Sequence, residues 1–205
     1  MNRRAMTKPI RFFAAAALAL VLAACQPSAS QQQGPIGANL EGSGIGGPFT
    51  LVDKDNKSVS WDQFKGKYRI VYFGFTYCPD ACPMDLGVVM QGYLKYAKDH
   101  PELAQDVQPI FITVDPARDT PARVGEFTSA FSPKLLGLTG TQKEVDAAVK
   151  AFKVVAGRGK DTPGGYLMDH SRFAYLMDRD GKALLALPVD KGPDAVAADL
   201  AAAVK

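Results

Sequence analysis

The segment Phe75 to Pro83, Phe-Thr-Tyr-Cys-Pro-Asp-Ala-Cys-Pro, places two thiols, Cys78 and Cys82, four positions apart. An apolar run precedes it and a helix-patterned segment follows it. Residues four apart on a helix share a face, so this spacing predicts that the two sulfurs meet. Two adjacent thiols can close a disulfide or hold a soft metal ion together. A thiolate at a helix N-terminus is favoured by the open N–H groups and the helix dipole. That lowers its pKa and makes it both a nucleophile and a ligand. Pro79 suits a first helical position, and Pro83 still falls in the first turns, where a missing donor costs little.

A soft bidentate sulfur site suits Cu(I), and Zn(II) would accept it with two further partners. The chain has only two histidines, His100 and His170. His100, in Lys98-Asp-His-Pro, reads as a surface residue near a helix C-terminus. His170, in Met168-Asp-His-Ser, stands where a buried strand is predicted to begin. A lone histidine is ordinarily structural, but such a strand start lies near the ends of neighbouring strands. Asp169 could orient the ring from behind. Two thiolates and one imidazole would make a trigonal copper site. Asp115, followed by Pro116 at a strand end, reads either as a turn or as a site residue, because strand C-termini host sites in α/β sheets. Asp119 reads as a helper to a helix cap, and Met84, Met168 and Met177 as core.

The elements that must position these groups follow from periodicity. Phe49–Val52 and Lys57–Ser60 flank a turn at 53–56 and read as an N-terminal β-hairpin. Tyr68–Phe75 and Val107–Val114 are runs expected of strands buried on both faces. Met84–Asp99 spaces Leu86, Val89, Met90, Tyr93, Leu94 and Ala97 as a helical stripe. Thr120 followed by Pro121 opens a helix toward Ala130. Thr141-Gln-Lys-Glu is a capping box for a helix through about Phe152. Strands are predicted over Ser171–Met177 and Ala183–Leu187, with a final helix over Asp194–Val204. Alternating strands and helices predict an α/β fold with a central mixed sheet flanked by helices.

The ends of the chain carry a different signal. Arg3, Arg4, Lys8 and Arg11 precede an apolar run, Phe12 to Ala24, of 13 residues, short for a membrane-spanning helix. It ends in Leu22-Ala-Ala-Cys25, which resembles the bacterial lipobox. Residues 1–24 are therefore expected to be a lipoprotein signal peptide, with Cys25 the lipidated residue and 25–44 a flexible tether. Residues 45–205 form the expected domain, long enough for one sizeable core. The full chain of 205 residues has a net charge of +3. Four basic and no acidic residues lie in 1–24, so the remainder, with 20 basic and 21 acidic residues, carries −1. No basic surface for nucleic acid is expected. Lipidation of Cys25 would leave Cys78 and Cys82 as the only free pair, in a compartment where disulfides persist.

A cysteine pair at a strand-to-helix junction, in this order of elements, resembles the thioredoxin superfamily, whose thiol-exchange members usually space their cysteines by two residues rather than three. More narrowly, four motifs in order resemble the Sco/SenC family: Cys78-Pro-Asp-Ala-Cys-Pro, Asp115-Pro-Ala-Arg-Asp-Thr, Leu136-Gly-Leu-Thr-Gly-Thr, and Asp169-His170 followed by Tyr175-Leu-Met-Asp. The resemblance implies a thioredoxin-like, membrane-tethered copper protein that assists assembly of cytochrome c oxidase. It implies copper, as Cu(I) or Cu(II), on Cys78, Cys82 and His170, and a Cys78–Cys82 disulfide in the metal-free form. Implied partners are the copper-centre subunit of the oxidase, another periplasmic copper chaperone or a thiol reductant, and the membrane through the lipid. The place implied is the periplasmic side of the bacterial envelope. The protein so described is a metallochaperone and not an enzyme. The competing reading is a periplasmic thiol-disulfide reductase that keeps target cysteines reduced. A peroxiredoxin-type peroxidase fits poorly, because Phe75 stands where that family has threonine.

Overall fold

The computed structural model describes residues 34–205. The expected signal peptide, Cys25 and the first part of the expected tether lie outside the described residues. No described helix is long and apolar enough to cross a membrane.

A six-stranded mixed sheet forms the centre. Its strands are β1 (Ala38–Asn39), β4 (Tyr68–Gly74), β5 (Val107–Thr113), β6 (Leu136–Leu138), β9 (Ala174–Met177) and β10 (Ala183–Ala186). Their order is β1-β10-β9-β4-β5-β6. The β4, β5 and β6 strands run parallel, while β9 lies antiparallel to β4 and β10 antiparallel to β9. The expected N-terminal hairpin is present as β2 (Thr50–Val52) and β3 (Ser58–Ser60). The helices are α1 (Ala81–Asp99), a short α2 (Pro101–Ala104), α3 (Pro121–Ser129), α4 (Gln142–Ala151) and α5 (Pro193–Ala203).

All of β4 is buried, because both of its faces are covered. Its even positions face α1: the Tyr72 O–H donates to Asp85 at 3.1 Å. Its odd positions face the opposite layer, where Phe73 packs on Phe152 with ring centres 5.3 Å apart. The α1 and α5 helices approach closely at Gly92, where a Cβ would lie 2.6 Å from Val196. The expected caps form. Thr120 accepts from the Arg123 N–H, and Thr141 and Glu144 complete a capping box. His100, expected at the surface, is half-buried and stacks on Tyr96 at 5.0 Å, at the break between α1 and α2.

Four expectations are corrected. The helix predicted from Met84 begins at Ala81. The strand predicted from Ser171 begins at Ala174. An antiparallel hairpin, β7 (Ala156–Thr162) and β8 (Gly165–His170), pairs with no other described strand. Its glycine-rich, polar sequence carries no apolar alternation, so periodicity could not reveal it. Last, residues 36–40 of the expected tether join the fold: β1 pairs with β10, and the N–H groups of Ile36 and Gly37 both donate to buried Asp199 at 2.7 Å.

Candidate metal centre

The cysteine segment leaves the sheet at Gly74 and turns before α1. Cys78 N–H donates to the Phe75 carbonyl at 3.2 Å. Contrary to expectation, Cys78 and Cys82 do not share a helix face, because only Cys82 is helical. The helix begins at Ala81, three residues after Cys78. The sulfur of Cys78 instead accepts the backbone N–H of Cys82 at 3.3 Å. It thereby satisfies one of the open donors of the first helical turn, where Asp80 at the N-cap position makes no side-chain capping bond. Both thiols are free.

Cys82 is fully buried and Cys78 half-buried. The Cys82 sulfur lies against β4 at Gly74, where a Cβ would stand 3.2 Å from it and 3.1 Å from the Phe111 and Tyr72 rings. Glycine is what allows this approach. Burial pushes the Cys82 thiol well up, so desolvation outweighs the helix end that was expected to lower it.

His170 closes β8 rather than opening a central strand. Its Nε2 lies 3.1 Å from the Cys82 sulfur, and its Nδ1 lies 2.9 Å from the Ser171 carbonyl. A carbonyl only accepts, so Nδ1 carries the proton and Nε2 presents a lone pair toward the sulfur. The ring meets Tyr72 and Phe75 edge-on, with centres 6.3 and 5.9 Å away. Burial holds the imidazole below its usual range and therefore neutral. This is the tautomer and charge state that a ligand histidine needs. Asp169, expected to orient the ring, is exposed; successive strand residues point to opposite faces, and the orienting contact comes from the Ser171 carbonyl instead.

Sequence reasoning missed two anchors. Arg172 donates from Nε and Nη2 to Asp85 at 2.8 and 2.6 Å. This ties the segment after His170 to α1, three residues beyond Cys82. Asp119 is fully buried and accepts from Thr76 N–H at 2.9 Å, Thr76 Oγ1 at 2.6 Å and Thr113 Oγ1 at 2.6 Å. It pins the cysteine loop to the end of β5, a larger task than the helix cap it was expected to assist. Asp115 contacts neither cysteine; it accepts from Arg118 and Tyr166. Of the methionines expected in the core, Met177 is there and Met84 is exposed.

Phe75, Cys78, Met168 and His170 line an open cavity of about 370 Å³. Among the described residues, no group of three or more His, Cys, Asp and Glu side chains is gathered into an ion-holding cluster. The arrangement is two contacts that share one residue: Cys82 N–H to the Cys78 sulfur, and the Cys82 sulfur to His170. Two sulfurs and one neutral imidazole nitrogen form a soft donor set, and Cys78 and His170 open onto the same cavity.

The sheet order, the cysteines at the end of the central parallel strand and the helix that begins there define a thioredoxin-like fold. The sequence model of SCO1/SenC matches residues 37–205, and the chain belongs to that family. It is 39% identical over 151 residues to the SCO2-like protein of Rickettsia felis, covering 73% of this chain and 72% of that protein. The structure of Bradyrhizobium japonicum ScoI with copper bound is 40% identical, with a TM-score of 0.69, covering 77% of this chain and 98% of that one. A further match is BsSco, described as having a disulfide switch and belonging to the Sco family of cytochrome c oxidase assembly proteins. It is 29% identical, with a TM-score of 0.54, and covers 82% of this chain and 96% of that one.

Proposed function

We propose that this protein binds copper through Cys78, Cys82 and His170 and serves as a membrane-tethered metallochaperone that assists assembly of the copper centre of cytochrome c oxidase. The observation that carries the reading is the 3.1 Å contact between the Cys82 sulfur and His170 Nε2, with Nδ1 held on the Ser171 carbonyl. A thiol-exchange protein does not require an imidazole beside its buried thiol, whereas a three-coordinate copper site does. A soft metal ion uses that lone pair together with the sulfurs. The copper is cargo, and the thiols release their protons when they take it up. Likeness to the copper-bound ScoI structure and to an oxidase assembly protein supports both the metal and the task.

In this reading residues 1–24 are removed as a signal peptide and Cys25 carries the lipid. The family domain then faces the periplasm from the membrane surface, within reach of the oxidase subunit that receives the copper and of a copper donor or thiol reductant.

The second reading, a thiol-disulfide reductase, is favoured by the unequal exposure of the two thiols. Cys78 is accessible and backed by a helix N–H, with Cys82 buried behind it, as attacking and resolving thiols would be. Titration of the reduced domain with Cu(I) and Cu(II), with metal analysis and thiol counting on the same sample, separates the two. One copper per chain is expected in the wild type. His170→Ala should bind copper at least about tenfold more weakly and still form the disulfide. Unchanged copper affinity in His170→Ala would remove the three-ligand site and leave the reductase reading.

A further inference from the structure

We propose that Tyr166 and Asp115 form a clasp that holds the β7–β8 hairpin against the cysteine loop, and that this clasp sets the position of His170. The inference rests on the metal-centre reading only for its functional consequence. The hairpin is a sheet of its own, and most of its residues are exposed or half-exposed. At its base, Ser171 N–H donates to the Val155 carbonyl and Val155 N–H to the Ser171 hydroxyl. A two-stranded hairpin is marginal in water without further packing. His170, at the end of β8, therefore depends on what fastens the rest of the arm.

The fastening lies near the hairpin tip. Tyr166 O–H donates to Asp115 Oδ1 at 2.8 Å. Asp115 is 3% exposed, and its other oxygen accepts from Arg118 Nε at 2.5 Å. The Arg118 guanidinium lies 3.6 Å from the centre of the Tyr166 ring, and that of Arg158 lies 4.2 Å from it. Both distances are within cation–π reach. Arg118 also reaches the rings of Tyr77, at 4.9 Å, and Phe75, at 5.9 Å. Tyr77 is the residue before Cys78, so one guanidinium touches both the hairpin and the cysteine loop.

The turn 115–119 works at both ends. Asp115 holds the hairpin through Tyr166, and Asp119 holds the cysteine loop through Thr76. This turn follows directly from β5, whose register with β4 is continuous from Tyr68 to Gly74. The two arms that bring sulfur and imidazole together are thus referenced to one rigid strand end. Tyr166 and Asp115 touch neither thiol, and their role is to position His170.

The test compares Tyr166→Phe, which deletes only the hydroxyl, with wild type and with Arg158→Ala, a substitution at an exposed arginine that removes one of the two guanidiniums on the ring. Amide hydrogen exchange is followed on the reduced, metal-free protein, and Cu(II) affinity is measured in parallel. For Tyr166→Phe, exchange across 156–170 should rise roughly tenfold, the ratio to which about 1.4 kcal/mol converts, with α1 unchanged. Copper affinity should fall by a similar factor, and the same change made in a His170→Ala background should cost nothing further. Arg158→Ala should show a smaller rise in the same segment. Unchanged hairpin exchange in both variants would overturn the clasp. So would faster exchange with copper affinity unaltered. A wild type that binds no copper would overturn the metal-centre reading instead, and the exchange comparison would still decide the clasp.

Discussion

Replacing Arg172 with methionine isolates the ion pair that joins the histidine segment to α1. Asp85 has an 8% exposed side chain and accepts three donors, two from Arg172 and one from Tyr72. Methionine keeps most of the apolar stem of arginine and deletes the guanidinium. The substitution leaves a buried carboxylate with a single neutral donor. Breaking a fully buried pair costs about 3–5 kcal/mol. The Arg172 side chain is 55% exposed, so water can reach the vacated side, and the cost falls toward about 2 kcal/mol. For a domain of this size that is a fall in Tm of roughly 4–8 °C. Urea unfolding of the reduced, metal-free domain should show a lower midpoint with an unchanged slope. Arg172→Lys should recover part of the loss, since it restores the charge without the two-point geometry. A loss under about 0.5 kcal/mol, typical of an exposed pair, would refute the claim that this bridge fastens the segment.

Two further outcomes are expected, one from the site and one from the proposed leader. Burial holds the His170 imidazole below its usual range, so below about pH 6.5 the unfolded chain binds a proton that the folded chain refuses. Stability of the metal-free domain should therefore fall as pH drops from about 6.5, by at most ~1.4 kcal/mol per unit. His170→Ala removes that contribution, so the gap between wild-type and variant urea midpoints should narrow on acidification; a constant gap would contradict the buried neutral imidazole. Cys25→Ser should move the protein from the membrane fraction to the soluble periplasmic fraction on cell fractionation, whereas continued attachment would point to an uncleaved anchor.

What the sequence made legible is what periodicity and local chemistry encode. The apolar runs at 68–75 and 107–114 became the central strands, and the caps at Thr120 and Thr141 formed where their side chains predicted. The fold class was readable because the cysteines sit where a buried strand gives way to a helix, and the family because four motifs stand in order. The hairpin was not readable, since Gly157, Gly159, Gly164 and Gly165 interrupt any pattern. Its Tyr166 meets Asp115 and Arg118, about 50 positions away in the chain. The same holds for Arg172 with Asp85 and for Asp119 with Thr76, separated by 87 and 43 positions. Such pairs exist only once the fold has brought them together. Placing Cys78 on the helix was an error of element boundary: α1 begins three residues later, at Ala81, and helix ends are the least sharply encoded part of an element.

The three donors are held unequally, and that inequality bears on how a cargo metal would be taken and released. Cys82 is fixed by the core, with its sulfur packed against Gly74 and its backbone in the first turn of α1. Cys78 sits in a loop, half-buried, its sulfur held by one N–H. His170 rides on an arm outside the central sheet, fastened by a tyrosine hydroxyl at one end and an arginine fork at the other. Opening of a weakly packed element costs less than opening of the core. In the proposed copper site the imidazole would therefore leave more readily than the core-held Cys82 sulfur. A chaperone needs that property, because a partner's ligand must displace one donor at a time. A site with all three donors on core elements would bind copper as firmly and surrender it slowly. If copper is held as proposed, placing the histidine on a clasped hairpin would let the strength of the clasp contribute to how readily the metal passes on.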